Sequence, residues 1–180
     1  MAKEAATKDG PILVLNSGSS SLKFGIYRPG STELGASDEV PLLTGSAEGI
    51  GRGNGALSIR AADGKVLLQR NRLHESQSDA LGALAEAIRE HADIIPVAIG
   101  HRVVHGGPGL VEHQRITPEV VDQLRAATHF APLHIPQALS LIAASRSIFP
   151  ASGSRVATVM LASCKARVLA TPMCPSTRRR

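Results

Sequence analysis

Between Ile12 and Tyr27 the chain reads ILVLNSGSSSLKFGIY, and that pattern restricts the fold more than any other stretch. Ile12–Asn16 is short and apolar, β-branched at Ile12 and Val14, as a buried strand requires. Ser17–Ser21 holds only small residues and reads as a turn. Leu22–Tyr27 alternates, with Leu22, Phe24 and Ile26 against Lys23, Gly25 and Tyr27, which suits a second strand facing a core. The turn between them admits two readings. It is a serine-rich hairpin with a surface lysine, or it is a phosphate site. In the second reading backbone N–H groups form an anion nest and Lys23 brings a mobile positive charge. Asn16 then offers an amide oxygen to Mg²⁺ or to a metal-bound water. The Walker A pattern G-x-x-x-x-G-K-[ST] is absent.

Later segments continue an alternation of strands and helices. Ala56–Arg60 and Lys65–Gln69 form a hairpin around Asp63-Gly64, which supplies the positive φ of a tight turn. Ser78–His91 is helical, capped by Ser78, with Leu81, Leu84 and Ile88 on one face. Ile94–Val104 is an apolar strand that runs into a glycine-rich exit. Thr117-Pro118-Glu119 is a helix start, with a Thr cap, Pro in the first turn and an acid at the positive dipole end. Pro136 opens another helix, with Leu139, Ile142 and either Ser145 or Phe149 along one side. Arg28–Ser31 is a turn.

Aromatic residues are only 2% of the chain, against 43% hydrophobic residues overall. The core must therefore be aliphatic, which favours layered α/β packing and disfavours a base-stacking nucleic-acid surface. No run is long and apolar enough to predict a transmembrane helix, and the charged start MAKEAATKDG lacks the apolar stretch of a secretory signal. Two cysteines, Cys164 and Cys174, make no disulfide framework. These features predict a cytoplasmic protein with neither membrane nor nucleic acid as partner. The formal charge of +5 is unevenly placed. Residues 1–150 hold 14 basic and 15 acidic side chains, and residues 151–180 hold six basic and no acidic ones. The basic character belongs to the tail rather than to the body.

Two further stretches carry chemistry. In GHRVVHGG, Gly100–Gly107, a strand would turn His101, Val103 and His105 one way and Arg102 and Val104 the other. Arg102 beside Val104 makes an anion clamp next to an aliphatic wall, which suits a short carboxylate. The alternative is an edge strand with a salt-bridged arginine. A shared zinc is excluded for His101 and His105, because four strand residues span about 13 Å. In HFAPLHIP, His129–Pro136, His134 stands between prolines at a helix mouth. There its N–H could stabilise oxygen charge in a transition state, or the ring could be purely structural.

Together, VLNSGSSSLKF (14–24), GHRVVHGG (100–107) and APLHIP (131–136) closely resemble the acetate kinase family, with its propionate and butyrate kinase relatives. The resemblance covers roughly residues 11–150. It implies an α/β fold of the actin-like, sugar-kinase-like, ribonuclease-H-like type, with a mixed sheet and flanking helices. It also implies the reaction ATP + acetate ⇌ ADP + acetyl phosphate, with Mg²⁺ (or Mn²⁺), in a homodimer. Position by position, it makes Asn16 the metal ligand, Lys23 a nucleotide-phosphate contact and Arg102 the holder of the substrate carboxylate. Val104 and Leu133 become the small apolar pocket and His134 the catalytic histidine.

The resemblance implies three segments: an extension at 1–10, an N-terminal kinase domain at 11–150 and a divergent basic tail at 151–180. Family members continue past this point with a D-T-A-F-H-like motif, whereas this chain has no Asp or Glu after Asp122 and no His after His134. Both cysteines, and every methionine after Met1, also lie beyond residue 150. Such an abrupt change fits a shift of reading frame. The chain alone is accordingly expected to lack kinase turnover. Propionate or butyrate kinase, and a non-catalytic remnant with weak anion or nucleotide affinity, are the alternatives.

Overall fold

In the computed structural model, residues 10–28, 40–92, 94–149 and 157–162 are described. Most of the predicted extension and of the tail, and the body of the Arg28–Ser31 turn, lie outside them. The opening pattern forms the hairpin it predicts: β1 (Ile12–Ser17) pairs antiparallel with β2 (Ser21–Tyr27). Three more antiparallel strands extend it, β3 (Leu43–Glu48), β4 (Ala56–Ala61) and β5 (Val66–Asn71). Gly64 closes the β4–β5 turn at φ +84°. On its other side β1 takes β6 (Ala98–Val103) in parallel, and β6 takes β8 (Ala157–Ala162) in parallel. The short β7 (Gln114–Arg115) caps that edge, giving one mixed sheet in the order β5-β4-β3-β2-β1-β6-β8-β7.

Register divides the chemistry of the sheet between its two faces, because successive side chains alternate. Leu13 and Leu15 of β1, Leu22, Phe24 and Ile26 of β2, and Ile99 and Val103 of β6 are all buried. Helices α1 (Gln77–Ala92) and α3 (Ile135–Ile148) contribute Leu81, Leu84, Ile88 and Leu141 to the same core. A second cluster joins Val103 to α2 (Pro118–Ala126), the following 3₁₀ turn and α3, through Leu124, Ile135 and Ile142. Burying a Leu or Ile side chain is worth about 1.5–3 kcal/mol, so this aliphatic face carries the stability.

Several local expectations are refined. The α1 cap is Ser76, not Ser78: the Asp79 N–H donates to Ser76 Oγ at 3.1 Å, and Asp79 Oδ2 accepts from the Glu75 N–H at 3.1 Å. Ser78 bonds instead to Ser140 of α3, Oγ to Oγ at 3.2 Å. The β6 strand is shorter than the Ile94–Val104 expected. The inward face of α3 is Ile135, Ala138, Leu141, Ile142 and Ser145, with Leu139 half-buried. Thr117 caps α2 as predicted, accepting from the Val120 N–H.

Candidate active site

The face opposite the core carries the candidate chemistry in one row. Asn16 of β1 is paired in register with Lys23 of β2 on one side and with Arg102 of β6 on the other. Three strands thus place a lysine, an amide and a guanidinium side by side, because each occupies the polar phase of its strand. Arg102 Nη1 donates to Asn16 Oδ1 at 3.3 Å. Lys23 is exposed.

β6 ends at Val103, so strict alternation stops there and Val104 and His105 turn to the rim of a shallow hollow of about 10 Å³. Its rim includes Ser17, Arg102, Val104, His105 and His134, with Gln137 of α3 beside them and no carboxylate in the lining. A space of that size holds about one water. The following loop turns at Gly107, with φ +70°, where a Cβ would lie 2.7 Å from the Ala127 Cβ. That position therefore needs glycine on two counts.

His134 is the N-cap residue of α3, and Pro136 stands in the first turn. Its N–H donates to the Ala131 carbonyl and its own carbonyl accepts from Ala138, both at 3.0 Å, while its ring makes no capping bond. The imidazole is therefore free of the helix end and stands where the helix dipole is positive. The hollow unites Arg102, Val104 and His134, and Asn16 joins through its bond to Arg102. Leu133 lies outside its lining and is 75% exposed. The lining adds Ser17, His105 and Gln137, which sequence reasoning did not assign to the site.

Behind Arg102 stands His101, 2% exposed. Its Nε2 lies 3.1 Å from Ser145 Oγ, and Ser145 Oγ donates to the Ile142 carbonyl at 2.9 Å. With its single proton spent on that carbonyl, the hydroxyl accepts from His101 Nε2–H. Burial, with the Arg146 charge adding to it, pushes the imidazole down to about 4. A neutral His101 thus ties β6 to α3, the elements that carry Arg102 and His134.

Among the described residues this site does not by itself gather a ligand set for Mg²⁺. Asn16 Oδ1 is engaged by a guanidinium, and among the described residues no group of three or more His, Cys, Asp or Glu side chains gathers to hold an ion. Mg²⁺ favours carboxylates and substrate phosphates. No helix among the described residues is long and apolar enough to cross a membrane.

The mixed sheet with its helices is an α/β domain, and its likeness to solved short-chain carboxylate kinases makes it an actin-like, sugar-kinase-like one. Solved structures share that fold. A propionate kinase from Francisella tularensis is 31% identical with a TM-score of 0.68, over 85% of this chain and 36% of that one. Acetate kinase of Porphyromonas gingivalis superposes with a TM-score of 0.70 at 24% identity, over 85% of this chain and 37% of that one. The acetokinase family model matches residues 11–163, through β8, and the chain belongs to that family. Propionate kinase of Escherichia coli O157:H7 is 37% identical over 140 residues, 77% of this chain and 32% of that protein. This chain therefore spans about a third of the length of the curated relatives it matches.

Proposed function

We propose that this chain supplies one wall of a short-chain carboxylate kinase site, with ATP as phosphoryl donor and acetate as acceptor. The observation that carries this reading is the register-built row Lys23–Asn16–Arg102, ending at a carboxylate-free hollow rimmed by Val104 and His134. The rim offers a short carboxylate a guanidinium for its head and a valine for its methyl; because the hollow itself holds about one water, the ligand is proposed to stand across its mouth. In the proposed step a carboxylate oxygen attacks the γ-phosphorus of ATP, the bond to the β-phosphate oxygen breaks, and ADP leaves. No proton transfer is needed, so the protein contributes position and charge. Arg102 orients the acceptor, with Asn16 fixing the guanidinium. Lys23 and the serine-rich turn meet the donor phosphates, and the His134 N–H faces charge on the moving phosphoryl group. Leu133 is proposed to close on the acceptor from outside the hollow. Mg²⁺ (or Mn²⁺) enters as the companion of the ATP phosphates. A cytoplasmic setting and a homodimer belong to the same proposal.

Propionate is the second reading, favoured by the names of the curated relatives. One methylene in an apolar pocket changes discrimination by only about 1–3 kcal/mol, and Val104 stands at a rim that is open. Because the chain spans about a third of those relatives, residues 1–180 alone are proposed to bind without turnover. Calorimetric titration should show ATP–Mg²⁺ and acetate binding, with acetate lost in Arg102→Ala. A hydroxamate assay with acetate, ATP and Mg²⁺ should stay at background. Turnover abolished by Arg102→Ala would refute the one-wall account, and acetate binding indifferent to Arg102 would refute the assignment of the hollow.

A further inference from the structure

The serine-rich turn is held from behind by a residue far along the chain. Gln77, the first residue of α1, is only 6% exposed. Its Nε2 donates to the Gly18 carbonyl at 2.9 Å and to the Ser21 carbonyl at 3.4 Å. Ser21 O also accepts from the Gly18 N–H at 2.8 Å, and Ser20 O accepts from the Ile50 N–H at 2.9 Å. Three of the turn's carbonyls are thus engaged, two of them by Gln77.

In a trans peptide the C=O of one residue and the N–H of the next point opposite ways, and no cis peptide occurs among the described residues. Drawing Gly18 C=O towards Gln77 therefore sends the Ser19 N–H away from α1, and Ser19 is exposed. The amide orientation is fixed chemically, since both partners are acceptors and only the NH₂ end can meet them. Gln77 Oε1 has no partner among the described residues. Burying an unpaired acceptor costs stability, so what the placement provides is the turn's shape.

We propose that Gln77 is a positioning residue for the phosphate-facing turn. It rests on the kinase reading above and deepens it: Gln77 touches no substrate, and sets the outward N–H that the triphosphate of a nucleotide would meet.

The full chain is titrated calorimetrically with inorganic triphosphate and separately with acetate, as wild type, Gln77→Leu and Gln77→Glu, each checked by circular dichroism. Gln77→Leu should weaken triphosphate at least tenfold and leave acetate at Arg102 unchanged. Gln77→Glu, which turns oxygens towards both carbonyls, should weaken triphosphate further. A purely structural role would move both ligands together, and that result, or unchanged triphosphate binding, would overturn the proposal. Should neither variant fold, amide exchange in the wild type decides: triphosphate should slow exchange at Ser19, and unaltered exchange would overturn the proposal. If the wild type binds no triphosphate, both the phosphate reading of the turn and the role of Gln77 fall. The acetate titration would then still report on Arg102 by itself.

Discussion

Lowering the pH from 7 to 5 should weaken the folded chain through His101. Its imidazole is 2% exposed and pushed down to about 4, whereas the ordinary value of 6.5 applies once the chain unfolds. Between those values the unfolded chain takes up a proton that the folded one refuses. Stability is therefore fully present above 6.5 and is lost as the pH falls towards 4. Each pH unit inside that window is worth about 1.4 kcal/mol, so reaching pH 5 costs about 2 kcal/mol from this residue. The complete window costs about 3 kcal/mol, a large share of a typical domain's stability. His74, also buried and held below the usual histidine range chiefly by desolvation, slopes the same way. The assay must therefore isolate one site. Urea unfolding of wild type and His101→Gln at pH 7 and pH 5 does so, because glutamine keeps a donor for Ser145 and does not titrate. The variant should lose about 2 kcal/mol less than wild type between the two pH values, at an unchanged urea slope. Equal losses in both proteins would rule out His101 as the source of the acid sensitivity.

Two other outcomes are expected. Ser76→Ala should destabilise the chain by about 1 kcal/mol in urea melts, while Ser78→Ala should cost less, because Ser76 is the cap of α1. A shift of reading frame is proposed for the tail, and because the family match runs to residue 163 it would lie near the end of that match; the coding DNA there, translated in its other two frames, should recover a D-T-A-F-H-like segment, and finding none would refute it.

Much of the site was legible because strand alternation is local. The two-residue period around Leu22, Phe24 and Ile26 already placed Lys23 on the opposite face, and GHRVV separated His101 from Arg102. The bond between Arg102 and Asn16 was not visible, because it depends on parallel pairing of strands far apart in sequence. β3 was missed for a related reason. LTGSAE is mostly small and polar and gives no strand signal, and it becomes a strand because β2 and β4 pair with it on either side, tertiary context overriding propensity. Ser78 looked like a cap by type, but Ser76 stands two residues earlier with Asp79 three residues on, the S-x-x-[DE] spacing of a helix start, and Asp79 reaches back to the Glu75 N–H. Val104 and His105 share the hollow because β6 ends before them, whereas alternation would have parted them. Leu133 was assigned to a pocket whose described lining does not include it. Gln77 had no local signal at all, since its partners lie across the sheet in another hairpin.

Arg102, Val104 and His134 are proposed to surround a carboxylate. A titration of the ¹⁵N- and ¹³C-labelled chain with acetate, followed by nuclear magnetic resonance, tests it most directly. The account predicts saturable shifts at the Arg102 guanidinium, the Val104 methyls and the His134 ring, all abolished by Arg102→Ala. Shifts that persist in Arg102→Ala, or none at these three residues in the wild type, would contradict it.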